Sequence, residues 1–281
     1  MLNEIEILLK DKIISSANQG GGCIANSIVI ETQKGAKYFL KSYGKKKSIH
    51  LKEANGLKEL SKSEEIRVPE VIAVNENYLL LEYLSTGKRK SSFSLEFGRQ
   101  LARMHRTTSN KYGFYEDNFI GSNVQKNVPQ KSNWVEFYWE NRLLYQFKLA
   151  EKKGYVNVQL LKDFNKLESR INSIVDGSEE PPTLLHGDLW GGNYMVDENG
   201  NPVIIDPAVY YGHREADIAM SKLFGGFDTD FYSAYNEEFT LKADWEYRID
   251  FYNLYHVLNH LNLFGRSYLS QVVSIIRKYN K

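Results

Sequence analysis

Two carboxylates and one carboxamide are spaced along the sequence so that together they could carry out phosphoryl transfer. In His186-Gly187-Asp188-Leu189-Trp190-Gly191-Gly192-Asn193, the carboxylate of Asp188 precedes the amide of Asn193 by five positions. Two short apolar runs follow, and the Asn-Gly step between them tolerates the positive φ of a tight turn. This pattern predicts a loop followed by a β-hairpin that returns Asp206 to the side of Asn193. The three polar side chains would then converge on one point.

These residue types match the needs of phosphoryl transfer. Asp206 and Asn193 offer oxygen ligands to Mg²⁺, a hard cation usually held by one or two protein groups together with phosphate oxygens. Asp188 could accept the proton of an attacking hydroxyl, and the same spacing occurs in kinase catalytic loops. The alternative is a surface loop rich in Gly, Asp and Asn, followed by an ordinary hairpin. We expect His186 to be structural, because no second acid–base group is needed.

Length and composition indicate a globular enzyme rather than a nucleic-acid-binding or membrane protein. The chain has 281 residues, and 36 Lys and Arg residues are balanced by 35 Asp and Glu residues, so no net field favours nucleic acid or a membrane surface. One cysteine excludes an internal disulfide framework and a cysteine-based zinc site. The sequence has no signal-peptide pattern and no run of about 18 apolar residues, so we expect a cytoplasmic enzyme.

The N-terminal part predicts a phosphate-binding sheet. Apolar residues at helical spacing predict an opening helix over residues 2–13. A Gly-rich turn, Gly20-Gly21-Gly22-Cys23, then precedes two short apolar runs, at 28–30 and 38–41, that read as antiparallel strands. Glycines allow backbone N–H groups to approach phosphate oxygens closely, which suits ATP. The alternative is that Gly20, Gly21 and Gly22 form only a flexible turn.

A lysine and a glutamate strengthen the phosphate-binding interpretation. Lys41 ends an otherwise apolar strand, where its long side chain could reach phosphates. Glu53 lies on the predicted helix that follows and could pair with Lys41 and orient it. The alternative is that both are ordinary solvated charges.

Two further strands and a linker complete this part of the chain. Apolar runs at 68–74 and 78–84 predict the strands, and Ser85-Thr86-Gly87-Lys88 is the first plausible linker. Backbone groups from Glu82 to Leu84 would be available to an adenine edge. We therefore place a domain boundary near residue 86. The predicted parts are a nucleotide-binding lobe, 1–86, and a helical lobe with the catalytic loop and acceptor site, 87–281.

The second part reads as mostly helical. Apolar periodicity predicts helices over residues 95–105, 134–143 and 160–174, and turn residues predict a loop over 112–122. Asp217 opens a further predicted helix, where its carboxylate could cap backbone N–H groups, including those of the catalytic loop.

Several segments resemble one family. They are Gly20-Gly21-Gly22-Cys23-Ile24, Tyr112-Gly113-Phe114 with Asp117-Asn118-Phe119-Ile120-Gly121, Trp134-x-x-Phe137 with Arg142-Leu143, the catalytic-loop stretch, and Ile205-Asp206-Pro207-Ala208 with His213-Arg214-Glu215-Ala216-Asp217. Together they resemble the fructosamine (ketosamine) kinases, within the aminoglycoside-phosphotransferase-like branch of the protein-kinase-like fold. The match runs from about residue 18 to about residue 228, and Trp-Gly-Gly-Asn after His-Gly-Asp is its most specific part.

The resemblance implies a bilobal α+β fold, with a small antiparallel-sheet N-terminal lobe and a mostly helical C-terminal lobe. It implies ATP as donor and a sugar hydroxyl of a small-molecule or protein-linked ketosamine as acceptor, in deglycation repair. It also implies Lys41 and Glu53 as the phosphate-anchoring pair and Asp188 as the base, with Asn193 and Asp206 as metal ligands. We expect the protein to be a monomer or homodimer.

The acceptor site is expected to suit a small molecule. Only 11 positions separate Asp206 from Asp217, which leaves little chain for a peptide-docking activation loop. Trp190 lies two positions after the proposed base, so its indole could flank the acceptor; the alternative is an indole buried under the loop. The rival enzyme interpretation is a choline-kinase-like or aminoglycoside-phosphotransferase-like activity. A catalytically silent nucleotide-binding module is the rival from another class, although every expected catalytic position holds a competent residue.

Cys23 is a possible redox site. Backbone-rich loops near cationic groups can activate a thiol, and oxidation could then couple two chains through Cys23. The alternative is that Cys23 is an inert small residue in the turn.

Overall fold

The computed structural model describes residues 1–19, 26–42 and 48–281. Predictions for Gly20, Gly21, Gly22 and Cys23 lie outside these residues. The predicted α+β class is confirmed, because a five-stranded antiparallel sheet forms the N-terminal part and helices dominate the rest. The domain boundary near residue 86 stays a prediction.

The N-terminal part is a sheet with one helix on each face. Its strands follow the order β1-β2-β3-β5-β4, and every neighbouring pair is antiparallel. Its elements are α1 (Leu2–Leu9), β1 (Ile13–Asn18), β2 (Asn26–Thr32), β3 (Lys37–Ser42), α2 (Ser48–Ser61), β4 (Val71–Val74) and β5 (Leu79–Glu82).

The predicted opening helix was too long. Lys10 adopts a left-handed conformation with φ 51° and ends α1, and its N–H caps the carbonyls of Glu6 and Ile7. The chain then turns, and Ile13 begins β1 with its N–H donating to Glu6 Oε1 at 2.8 Å. Ile13 had fitted the helical spacing by chance.

Alternation along the strands decides which side chains face which helix. Ile5 of α1 packs with Leu40 and Leu80 on one face of the sheet. Leu57 of α2 packs with Leu79 on the other face. Because successive side chains in a strand point to opposite faces, the residue after Leu40 faces α2. That residue is Lys41.

The C-terminal part consists mainly of helices, and the described residues also form three short two-stranded antiparallel sheets there. Its elements are α3 (Phe93–Met104), β6 (Asn118–Ile120), β7 (Asn123–Gln125), α4 (Trp134–Phe137), a π-helical segment (Tyr138–Leu144), α5 (Tyr145–Lys152), α6 (Val158–Glu168), α7 (Ile171–Val175), β8 (Thr183–Leu185), β9 (Tyr194–Val196), β10 (Pro202–Ile204), β11 (Tyr210–Gly212), α8 (Glu215–Leu223), α9 (Thr229–Glu238), α10 (Trp245–Phe264), a 3-10 turn (Arg266–Tyr268) and α11 (Leu269–Tyr279).

Two predictions in this part were wrong. The predicted loop over 112–122 contains β6 and leads into β7, and these strands form a hairpin. The predicted helix over 160–174 is two helices, because the chain leaves the helix at Ser169, whose hydroxyl donates to Lys166 O at 2.8 Å. The remaining helices were found with their ends shifted by a few residues.

The core of the C-terminal part is built around α10. Phe251, Tyr255 and Leu258 on this helix are fully buried or nearly so, in agreement with their interpretation as core residues. Helices α5, α8 and α11 pack against α10. Among the described residues, no helix is both long enough and apolar enough to span a bilayer.

Candidate active site

A cleft of about 610 Å³ lies between the sheet and the helical part. Side chains from both parts line it. Every predicted site residue that the structure describes is among them: Lys41, Glu53, Glu82, Leu84, Asp188, Trp190, Asn193 and Asp206. Residues far apart in the sequence are thus brought to one cavity.

The catalytic loop is held by the carboxylate of Asp217. The backbone N–H of His186 donates to Asp217 Oδ2 at 2.7 Å, and the N–H of Gly187 donates to Oδ1 at 2.8 Å. His105 Nε2 lies 3.2 Å from the same carboxylate. Burial by itself would raise the pKa of Asp217, but these hydrogen bonds outweigh burial and hold the pKa below its ordinary value. The predicted capping of the catalytic loop by Asp217 is confirmed, although α8 begins at Glu215.

Gly187 is required by the close approach of two backbone segments. Its φ is +81°, and a Cβ at this position would lie 1.9 Å from the carbonyl oxygen of Ala208. The Ala208 N–H in turn donates to His186 O at 2.9 Å. The catalytic loop and the segment after Asp206 therefore lie back to back, without room for a larger residue.

His186 is fully buried and supports the same contact. Its Nδ1 accepts from the Asp188 N–H at 3.2 Å, so Nε2 carries the proton and donates to Ile205 O at 2.9 Å. Burial lowers the pKa of His186, which favours this neutral tautomer. The expectation that His186 is structural agrees with these contacts.

The predicted hairpin is present and returns Asp206 to Asn193. Strands β9 and β10 pair in antiparallel register, and the Ile205 N–H donates to Asn193 O at 3.0 Å. Asp206 follows in a left-handed conformation with φ 54°, which Asp tolerates better than most residues but which still costs about 1 kcal/mol. This turn directs the Asp206 carboxylate into the cleft.

Asn193 and Asp188 are hydrogen-bonded to each other. Asn193 Nδ2 donates to Asp188 O at 2.8 Å and to Asp188 Oδ2 at 3.2 Å. Because nitrogen makes both bonds, the amide oxygen of Asn193 faces away from Asp188. That oxygen and the Asp206 carboxylate form a donor set suited to Mg²⁺.

The pKa of the Asp188 carboxyl is raised to about 7. Burial is the largest cause; the hydrogen bond from Asn193 opposes it, and the charges of Asp206 and Asp217 add to it. A carboxylate of this pKa ionises at neutral pH and binds a proton far more readily than an ordinary Asp. It therefore has the property that a general base requires.

Lys41 joins the two parts of the molecule. Its side chain is only 5% exposed, and Nζ lies 2.6 Å from Glu53 Oε1 on α2. The same Nζ contacts the carboxylate of Asp206. The predicted Lys41–Glu53 pair is present.

Among the described residues, no group of three or more His, Cys, Asp or Glu side chains is arranged to hold a metal ion.

The two predicted adenine-binding positions lie at the edge of the cleft. The Glu82 N–H already donates to Glu70 O at 3.0 Å, and its carboxylate lies 3.4 Å from an Arg67 nitrogen. Of the predicted backbone groups, the Glu82 carbonyl and the backbone of residues 83–84 are therefore the ones available to a base.

Trp190 lies at the mouth of the cleft and is 37% exposed, so it is not buried under the loop. Its ring meets Phe224 edge-on, with centroids 5.7 Å apart. A Cβ on Gly192 would lie 2.4 Å from the indole. Gly192 therefore allows the indole to fold over the loop and leave one face toward the cleft.

Sequence reasoning missed the opposite wall of the cleft. Asn259, His260 and Phe264 of α10 line it, together with Phe119 of the β6–β7 hairpin. Helix α10 had been interpreted as core alone. The signal that could have identified this wall is the repeated occurrence of Asn and His along one helix, at Asn253, His256, Asn259, His260 and Asn262.

Comparisons with known proteins match this chain to the fructosamine kinase family and to two named relatives. The fructosamine kinase family model matches residues 5–281. A probable ketoamine kinase of Enterococcus faecium is 40% identical over 264 residues, covering 92% of this chain and 93% of that protein. A chloroplastic protein-ribulosamine 3-kinase of Arabidopsis thaliana is 39% identical over 275 residues, covering 95% and 83%.

Solved structures of kinases also resemble this chain. A putative fructosamine-3-kinase of Thermobifida fusca superposes with a TM-score of 0.88 at 30% identity, covering 99% of this chain and 98% of that chain. Aminoglycoside phosphotransferases and a choline kinase, at 13% to 16% identity and TM-scores of 0.64 to 0.67, share the fold alone.

The raised pKa of Asp188 predicts a pH-dependent gain in stability on Asp188→Asn. Because the folded pKa of Asp188 lies above the unfolded value of 3.8, this residue costs the folded state a free energy that grows as the pH rises from 3.8 to about 7 and is complete above pH 7. The substitution removes this cost. In thermal unfolding with EDTA and without nucleotide, we expect the gain to be about 2 kcal/mol larger at pH 8 than at pH 5.

Asp117→Asn is the matched control for this measurement. Although burial opposes it, hydrogen bonds from Asn127, Lys126 and Val128 lower the pKa of Asp117. Asp117 is thus ionised in both states from pH 5 to 8, and its substitution should give no such pH dependence. An equal effect of Asp188→Asn at both pH values would contradict the raised pKa.

Proposed function

This chain belongs to the fructosamine kinase family, and we propose that it transfers the γ-phosphoryl group of ATP to a sugar hydroxyl of ketosamines. It is an ATP-dependent phosphotransferase with a bilobal, protein-kinase-like fold. The observation that carries the proposal is the convergence of Asp188, Asn193 and Asp206 in the cleft that also holds the Lys41–Glu53 pair.

ATP would lie along the sheet side of the cleft. Lys41 would bind phosphate oxygens, and Glu53 would hold the lysine in place at 2.6 Å. The base would meet the backbone near Glu82 and Leu84, between the apolar side chains that line this end of the cleft, among them Phe39 and Met195. Phosphate binding by Gly20, Gly21 and Gly22 stays a prediction, because these residues lie outside the described ones.

Asn193 and Asp206 would hold Mg²⁺ through the amide oxygen and the carboxylate. When bound there, the ion would supply charge neutralisation for the phosphate oxygens. The fit rests on the donor set, since an amide oxygen and a carboxylate are ligands that this cation takes.

Asp188 would act as the base. The acceptor hydroxyl oxygen forms a bond to the γ-phosphorus, the bond from that phosphorus to the bridging oxygen breaks, and ADP leaves with the electron pair. The hydroxyl proton passes to Asp188. The Asn193 N–H at 3.2 Å holds Asp188 Oδ2, which fixes the carboxylate for this transfer.

A ketosamine is favoured over other small acceptors by the relatives and by the short segment after Asp206. The curated relatives carry the names ketoamine kinase and protein-ribulosamine 3-kinase. Trp190 would flank the sugar with its indole face.

The cytoplasmic location and the monomeric or homodimeric state stay predictions, as does the redox role of Cys23.

Coupled ADP release with four acceptors tests the proposed function. We expect turnover with fructose-lysine or ribulose-lysine, and little or none with choline or kanamycin, in the presence of Mg²⁺ and ATP. Turnover with choline or kanamycin alone would promote the rival kinase interpretation. No turnover with any acceptor would favour a silent nucleotide-binding module.

Trp190→Ala serves as the acceptor-side variant in the same assay. Loss of the indole face should raise the KM for the ketosamine at least tenfold and leave the KM for ATP nearly unchanged. Trp139→Phe, at a buried position outside the cleft, is the control for a general effect of removing an indole. Equal changes in both KM values would remove Trp190 from acceptor binding.

Asp206→Asn tests the metal site. Loss of a charged ligand should raise the Mg²⁺ concentration for half-maximal turnover at least tenfold and lower turnover at saturation. Asp197→Asn is the control, because Asp197 lies in the turn of the same hairpin but not in the cleft. A Mg²⁺ titration of Asp206→Asn that matches the wild type would reject Asp206 as a ligand.

A further inference from the structure

Asn259 is a buried amide on the wall of the cleft opposite the sheet. It lies on α10 and is only 1% exposed, yet it lines the same cavity as Asp188 and Trp190. Amides buried to this degree normally have partners for their polar atoms. The partners of Asn259 decide which atom it turns toward the cleft.

A chain of hydrogen bonds fixes the orientation of the amides behind Asn259. Asn262 donates through Nδ2 to the backbone carbonyl of Gln146 at 2.9 Å, and a backbone carbonyl can only accept. The same nitrogen donates to Gln146 Oε1 at 2.8 Å. Gln146 must then present its own nitrogen on the other side, and Nε2 donates to Asn259 Oδ1 at 3.3 Å.

A second donor reaches the same oxygen. Asn123, at the start of β7, donates from Nδ2 to Asn259 Oδ1 at 2.8 Å. Neither Asn123 nor Gln146 lines the cleft, so the oxygen is turned away from it. The Asn259 nitrogen is the remaining polar atom of this side chain. Within residues 1–19, 26–42 and 48–281, the structure gives that nitrogen no acceptor.

We propose that Asn259 recognises the acceptor by donating hydrogen bonds from Nδ2 to a sugar oxygen. This rests on the proposed function, since it needs a hydroxyl- or carbonyl-bearing acceptor in the cleft. An N–H donor at the cleft surface pairs with an oxygen that has lone pairs, whereas an acceptor that displaced water and left this N–H unpaired would bind less tightly. The quaternary ammonium group of choline offers no lone pair, so the same amide disfavours that group.

The competing role for Asn259 is structural. Its oxygen links the β6–β7 hairpin, through Asn123, to α5, through Gln146. If this were its whole role, any substitution that kept the oxygen would be tolerated. If its nitrogen recognises the acceptor, a substitution that keeps the oxygen but replaces the nitrogen would still be harmful.

Asn259→Asp and Asn259→Ala separate the two roles. Asp keeps an oxygen for Asn123 and Gln146 and puts a second oxygen in place of the N–H donor. The assay is run at pH 8.5, where the hydrogen bonds from Asn123 and Gln146 favour the ionised form of the introduced Asp. We expect the KM for fructose-lysine or ribulose-lysine to rise at least tenfold in Asn259→Ala and further in Asn259→Asp. The KM for ATP should change less than twofold in Asn259→Ala.

Asn253→Ala is the matched control. Asn253 is a buried asparagine on the same helix, outside the cleft. Its substitution should leave the KM for the ketosamine unchanged, and its thermal midpoint, measured alongside that of Asn259→Ala, separates a change in the stability of α10 from loss of recognition.

Three results would overturn the inference. One is a ketosamine KM in Asn259→Asp close to that of the wild type or lower than that of Asn259→Ala, as the structural role predicts. The second is a rise in the KM for ATP as large as that for the ketosamine. The third is a change in ketosamine KM in Asn253→Ala equal to that in Asn259→Ala. A wild type inactive on both ketosamines would instead refute the proposed function, and the inference with it.

Discussion

The carboxylate of Asp217 is the contact on which the geometry of the cleft depends. It is 1% exposed and accepts the backbone N–H groups of His186 and Gly187 at 2.7 and 2.8 Å. A buried carboxylate with these partners stays ionised and holds two consecutive peptide groups in one orientation. That orientation sets the left-handed turn at Gly187 and places the backbone of Ala208 against it. The position of Asp188 relative to Asp206 is therefore fixed by backbone contacts rather than by the two side chains.

The two lobes are tied together on both sides of the cleft. Inside it, Lys41 of the sheet contacts Glu53 and Asp206. Outside it, Arg67 lies 3.4 Å from Glu82 and 3.1 Å from Asp197 of the β9–β10 turn. The Arg67 side chain is exposed, so solvent screens both of these pairs and each contributes little, about 0.5 kcal/mol. The inner contact differs because Lys41 is buried, and loss of a carboxylate partner would leave its charge less well compensated. The Lys41–Asp206 contact therefore matters more for the relative position of the lobes.

Features carried by local sequence were predictable. Turn residues predicted the hairpin that returns Asp206, and the placement of Asp217 at a helix start predicted its capping role. The positions of Lys41 at the end of a strand and of Glu53 on the next helix predicted their pairing.

Features that depend on distant partners were not predictable. The β6–β7 hairpin has strands of three residues, too short for alternation, and is held by Gln125, whose Nε2 donates to Ala208 O at 2.7 Å. The role of Asn259 depends on Gln146 and Asn123, neither of which is close to it in sequence. Ile13 was misassigned for a similar reason, because its strand exists through pairing with Thr32.

The cleft is proposed to deliver a phosphoryl group to a sugar hydroxyl. Proton–phosphorus correlation NMR of the purified product from ribulose-lysine or fructose-lysine tests it most directly, because the spectrum identifies the atom that carries phosphorus. We expect a phosphate monoester whose phosphorus couples to a sugar C–H proton. Phosphorus bonded to the amine nitrogen, or inorganic phosphate as the sole phosphorus product besides ADP, would contradict it.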